Sequence, residues 1–185
     1  LPEEVATMNP RVKLAAAVAV VSVVVGGATI AVAGGGKGGN NFREHLSGYE
    51  ETPLALSTPG QAKFETRLDK TALSYRLSYR DLEAPVTQAH IHFGAEGQSG
   101  GISVFLCTNL GNGPVGTQEC PAQPATITGR IVPGDVIGPA DQGIDPGEFG
   151  ELVDAIRAGA TYANVHTEKY PAGEVRAQLE RGPND

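Results

Sequence analysis

The chain has 185 residues, with 21 Asp and Glu against 14 Lys and Arg, a formal net charge of −7, 25 glycines and no tryptophan. That length is one domain's worth. An acidic balance without a run of Lys or Arg gives no electrostatic footprint for nucleic acid and argues against tight binding to anionic lipid surfaces.

Met8 opens MNPRVKLAAAVAVVSVVVGGATIAVAG and reads as the natural start, with LPEEVAT an upstream extension. Arg11 and Lys13 precede an apolar run from Leu14 to Ala33, and Ala31-Val32-Ala33 has the small-x-small form of a cleavage site. Residues 1–33 are therefore expected to be a signal peptide. An uncleaved N-terminal membrane anchor is the alternative, because the run reaches the roughly 20 residues that span a bilayer. Either way the remainder is expected to be secreted or extracytoplasmic, and any membrane contact to run through that segment alone. GGGKGGNN, from Gly34, has no side chains to bury and reads as a flexible tether over residues 34–45, with the folded domain over 46–181.

After Gly60, AKFETRL alternates as a strand, Asp69-Lys70 supplies a turn, and ALSYRLSYRDL sets Leu73, Tyr75, Leu77 and Tyr79 on one face against Ser74, Arg76, Ser78 and Arg80 on the other. Pro85 ends that segment. Gln88 to Phe93, Ile102 to Cys107 and ATITGRIV read as further strands. The stretch from Pro133 to Gly147 is either a long surface loop or the approach to a helix. Phe149, Leu152, Val153 and Ile156 recur at helical spacing, with Asp145 as the expected cap, Pro146 in the first turn and Gly159 as the stop. TYANVHT and EVRAQL close the chain as two strands joined by EKYPAG. About seven strands and one short helix predict an all-β fold, an antiparallel β-sandwich or Greek-key barrel.

Cys107 and Cys120 flank a Gly/Asn/Pro-rich loop, and in an oxidising compartment such a pair is expected to form a disulfide, worth roughly 3 kcal/mol by loop entropy.

Two of the four histidines, His90 and His92, sit at i and i+2 in AHIHFG and so share one strand face, while Ile91 and Phe93 take the other. Paired imidazoles are half of a metal site, suited to copper and zinc. His166 in TYANVHT has the parity to complete it if its strand lies beside that of residues 88–93. A hydrogen-bonded structural cluster is the competing reading. His45 is expected to be a solvent-exposed bystander. Glu174 and Arg176 share a face and read as an ion pair, while Glu96 and Glu168 are candidates to reach a metal or orient an imidazole. No Ser, Asp and His combination forms a nucleophile elbow, so covalent hydrolysis has no support.

LSGYEETP, APVTQAHIHFGAEGQSGGISVFL, ELVDAIRAG and YANVHTEKYPAGEVRAQL, in that order from about Leu46 to Leu179, resemble the CHRD domain family. The family usually carries glycine in its closing segment where this chain has Ala177. The resemblance implies a secreted β-sandwich module. In animals the domain occurs in a protein that binds bone morphogenetic proteins, so an extracellular protein is the implied class of partner. A looser likeness is to copper-zinc superoxide dismutase, whose copper histidines also include an HxH pair with a ligand from a late strand. His90, His92 and His166 are similar in role, but a bridging histidine and a zinc cluster are absent from the sequence.

The sequence thus predicts metal binding by His90, His92 and His166, copper before zinc, with Asn164, Glu174 and Arg176 as polar partners and no committed reaction. The alternatives are a non-catalytic structural or interaction module and a superoxide dismutase-like enzyme.

Overall fold

The computed structural model describes residues 39–180. The expected export segment, residues 1–33, lies outside the described residues, among which no helix is long and apolar enough to cross a membrane.

Among the described residues, eight strands and one α-helix follow in the order β1 (Asn41–Ser47), β2 (Gln61–Leu68), β3 (Leu73–Arg80), β4 (Val86–Phe93), β5 (Gly101–Thr108), β6 (Ala125–Ile131), α1 (Phe149–Arg157), β7 (Thr161–Thr167) and β8 (Val175–Gln178). They form one antiparallel sheet in the order β5-β4-β7-β8-β1-β2-β3-β6, curled into a nearly closed barrel. Alternate residues fill the inside, among them Phe64 and Leu68 of β2, Leu73 and Leu77 of β3, Ile91 of β4, Val104 of β5, Val165 of β7 and Val175 of β8. The apolar stripe Phe149, Leu152, Val153 and Ile156 of α1 joins the same core. The core runs from Phe42 to Leu179, so the domain carries its own and can fold as a unit.

The gap between the edge strands β5 and β6 is bridged by side chains and by the loop that follows β5. Tyr75 Oη donates to the Leu106 carbonyl of β5 (2.7 Å). The Gln118 carbonyl accepts from Thr108 N (3.0 Å), and Gln118 Nε2 donates to Tyr75 Oη (2.7 Å) and to the Thr128 carbonyl of β6 (3.2 Å). Cys107 and Cys120 are disulfide-bonded, as expected, which ties this bridging loop to β5.

Three features differ from the sequence reading. Residues 41–45, read as the end of a tether, belong to β1, which pairs with β2 along its whole length and buries Phe42 and Leu46. The helix starts at Phe149, not in the turn of Asp145 and Pro146, because Gly147 takes φ +91° and breaks the helical path. Its N-cap, Glu148, turns back to accept from Asp145 N instead of capping the helix. The stretch from Pro133 to Gly147 lies over the barrel as two 3-10 turns that sink Val136 and Ile144 into the core. The stop is as predicted: Gly159 has φ +69°, and Gly159 N and Ala160 N bond back to Ile156 and Ala155, closing the helix in a Schellman motif.

Candidate metal centre

β4 lies between the edge strand β5 and β7, and the register with β7 sets Gln88 opposite His166, His90 opposite Asn164 and His92 opposite Tyr162. Because Ala89 and Ile91 point into the core, His90 and His92 point out of the barrel, and His166 joins them from the neighbouring strand. The adjacency that the sequence left open is thus present. On the other side, β5 pairs with two register shifts, between Ala89 and His90 and between Ile91 and His92, so an irregularity immediately precedes each histidine.

An outward face would ordinarily be wet. Here the loops after β1, between β4 and β5, and between β7 and β8 cover it, leaving His90 0%, His92 8% and His166 5% exposed. Two of these loops use glycine for close approach. A Cβ on Gly100 would fall 1.7 Å from the Phe93 carbonyl oxygen, and one on Gly173, at φ +134°, would fall 2.7 Å from the Asn164 amide and from Glu51 Oε2.

The hydrogen bonds fix the tautomers. His92 Nδ1 donates to the Gly100 carbonyl (3.0 Å) and His166 Nδ1 donates to the Pro171 carbonyl (3.0 Å). A carbonyl only accepts, so both rings carry their proton on Nδ1 and turn a bare Nε2 lone pair into the cluster. His90 Nδ1 then donates to His166 Nε2 (3.2 Å). His90 Nε2 and His92 Nε2 are buried without a hydrogen-bond partner. Because His166 Nε2 can only accept, this bond holds the His90 proton on Nδ1 and leaves His90 Nε2 bare.

Donor atoms of the three residues lie within 4.8 Å of one another, a group that, among the described residues, could hold a metal ion. Two nitrogens each about 2.0–2.1 Å from one ion can be at most about 4.2 Å apart. The hydrogen-bonded pair His90 Nδ1 and His166 Nε2, at 3.2 Å, is inside that limit, while the set of three lies within 4.8 Å, so the rings would draw together to close on one ion. Nδ1 of a ligating histidine bonded to a backbone carbonyl is the usual arrangement that orients such a ring.

Burial holds all three imidazoles neutral. Desolvation, with the neighbouring imidazoles adding to it, pushes His90 down to about 2. Desolvation likewise brings His92 and His166 to about 4, against the partial support of their carbonyl bonds. At pH 7 the lone pairs are therefore free of protons.

Aromatic rings wall the cluster. Phe105 of β5 sits edge-on to His90 at 4.4 Å between centroids, and Tyr162 stacks on His92 at 4.8 Å and an interplanar angle of 2°. The Arg176 guanidinium lies 3.5 Å from the centroid of the Tyr162 ring.

The expected polar partners are all buried here, in other roles than foreseen. Asn164 donates to Glu51 Oε1 (2.7 Å). Glu174 and Arg176 do not form the expected ion pair, since each is taken up by other partners. The Glu174 carboxylate accepts from Thr58 Oγ1, Thr167 Oγ1 and Glu83 N, while Arg176 donates to Thr52 Oγ1. None of the three bonds to a histidine among the described residues. Glu96 and Glu168 are exposed and stand outside the cluster. His45 is exposed on β1, as expected.

Glu51 is the residue the sequence did not single out. It is 7% exposed, and burial, only partly offset by Asn164 and Arg176, raises its carboxyl to about 7. Its place in LSGYEETP was a visible signal, but its burial depends on a strand the sequence did not reveal.

The family model described as the CHRD domain matches residues 42–179, a span that contains the barrel, the helix and all three clustered histidines. No curated protein and no solved structure matches the chain.

Proposed function

Because the chain belongs to the CHRD domain family, whose motifs carry these histidines, we propose that it works outside the cytoplasm as a metal-binding module. His90, His92 and His166 hold one transition-metal ion, copper before zinc. The observation that carries this reading is the pair of buried, partnerless nitrogens, His90 Nε2 and His92 Nε2. Each unsatisfied group costs about 1–3 kcal/mol. An ion would take the Nε2 lone pairs of His92 and His166 and one nitrogen of His90. Copper leads because neutral imidazoles follow the Irving–Williams order, in which Cu(II) binds more tightly than Zn(II).

The role is binding rather than turnover. A superoxide-dismutating enzyme needs a redox metal with an open coordination position, and the imidazoles are enclosed by three loops and two rings. The disulfide and the export segment read from the sequence support an extracytoplasmic setting. A second reading, a protein-interaction module, draws on Leu54, 75% exposed beside a cavity of about 220 Å³ lined by Pro53, Leu56 and Pro171.

Titration with Cu(II) followed by electron paramagnetic resonance tests the proposal. The expected spectrum shows nitrogen couplings from imidazole ligands, lost in His166→Ala and resistant to equimolar zinc. Displacement by equimolar zinc would reverse the order of metals, and a spectrum of free copper only would remove the site.

A further inference from the structure

The chain has no run of lysine or arginine, yet the fold assembles one on the outer face of β1, β2, β3 and β6. Strand alternation turns Arg43, Lys63, Arg67, Arg76, Arg80 and Arg130 to the same side, six of the chain's 14 Lys and Arg. The register arranges them in rows: Arg67 and Arg130 share one, Arg43 and Arg76 the next, Lys63 stands beside His45 in a third, and Arg80 lies in a fourth. With strands about 4.8 Å apart and same-face residues about 6.8 Å apart along a strand, the patch is roughly 14 Å by 20 Å.

Glu65 is the one carboxylate on these strand positions, bonded to Arg43 (2.9 Å) and Lys63 (2.8 Å). Asp69 and Asp81 stand at the ends, beside Arg67 and Arg80. Arg76, cross-strand from Glu65, and Arg130 form no salt bridge among the described residues. On a chain of net charge −7, this face is a cationic island.

We infer that the outer face of β1, β2, β3 and β6 binds an acidic polysaccharide. A groove of about 470 Å³ runs across it, and its walls offer hydroxyl and amide groups of Gln61, Ser78 and Thr126 between Lys63 and Arg80. Such groups match sugar hydroxyls, and the cations match carboxylate or sulfate groups repeated along a chain. Two other polyanions fit less well. Nucleic-acid strands are held on exposed aromatic platforms, and the single aromatic in the groove, Tyr79, is 2% exposed. Membrane surfaces take up an apolar face beside the cations, and the outward positions of these strands are polar. The surface lies on other strands than β4 and β7, which carry His90, His92 and His166, and its function does not depend on a metal.

The test is retention of the chain on immobilised heparin and polygalacturonate, with neutral dextran as control, at rising salt. The parent is expected to bind both acidic polymers and not dextran, and to elute as salt screens the contacts. Arg67→Ser, Arg76→Ser, Arg130→Ser together should weaken binding by about tenfold or more, since each removes a charge contact. The matched Arg→Lys triple variant should retain most of it, and Arg157→Ser with Lys169→Ser, cations elsewhere, should change little. Passage of the parent through both acidic columns overturns the inference. So does equal loss in the two serine variants, or tighter binding to single-stranded DNA or phosphatidylglycerol vesicles at the same salt.

Discussion

Three neutral imidazoles packed under loops are a pH-sensitive feature even without metal. His92 and His166 at about 4, and His90 at about 2, lie below the unfolded value of 6.5. Below pH 6.5 the unfolded chain takes up protons that the folded one refuses, so their contribution is fully present above pH 6.5 and is lost as pH falls toward 4. Glu51, raised to about 7 from 4.5, works in the opposite sense. Its penalty is present above pH 7 and disappears as pH falls to 4.5. Three histidines outweigh one glutamate, and the metal-free domain should lose on the order of a few kcal/mol between pH 7 and pH 5. Urea unfolding at the two pH values measures it, and a flat profile would mean that the imidazoles are not buried as described. Histidine parity in AHIHFG and TYANVHT was legible from the residues alone. What decides the chemistry, the Gly100 and Pro171 carbonyls that fix the tautomers, lies in loops whose path no periodicity encodes.

At the level of elements, seven of the eight strands could be read because each alternates apolar and polar residues or runs apolar between turn signals. β1 escaped because only Phe42 and Leu46 of its seven residues are buried hydrophobics, and Glu44 occupies the inward-parity position between them. It follows a glycine-rich stretch, so composition argued for a tether. Pairing with β2 and β8 overrides that weak local signal. Leu46→Ala should therefore cost about 2–5 kcal/mol, as for other fully buried leucines. Chemical denaturation of the variant checks this, and a change within experimental error would show β1 to be dispensable. The helix cap illustrates a second limit. Asp145 and Pro146 have the right residue types, but Gly147 at φ +91° places them in a separate turn.

For the whole molecule, net charge predicted indifference to polyanions, whereas distribution matters more. Alternating positions on four strands gather cations that are scattered in the sequence, which no window along the chain detects. The same barrel turns its opposite region, β4, β7 and β8, into a polar layer sealed by loops, with the histidines at its centre. The central claim is that this layer holds a metal ion, and the most direct measurement is the metal content of residues 34–185 after reconstitution with copper or zinc and removal of excess. The parent should retain close to one copper per chain, while the His90→Ala, His92→Ala double variant, still folded by circular dichroism, should retain none. Negligible metal in the parent after both reconstitutions, or equal metal in parent and variant, would contradict the claim.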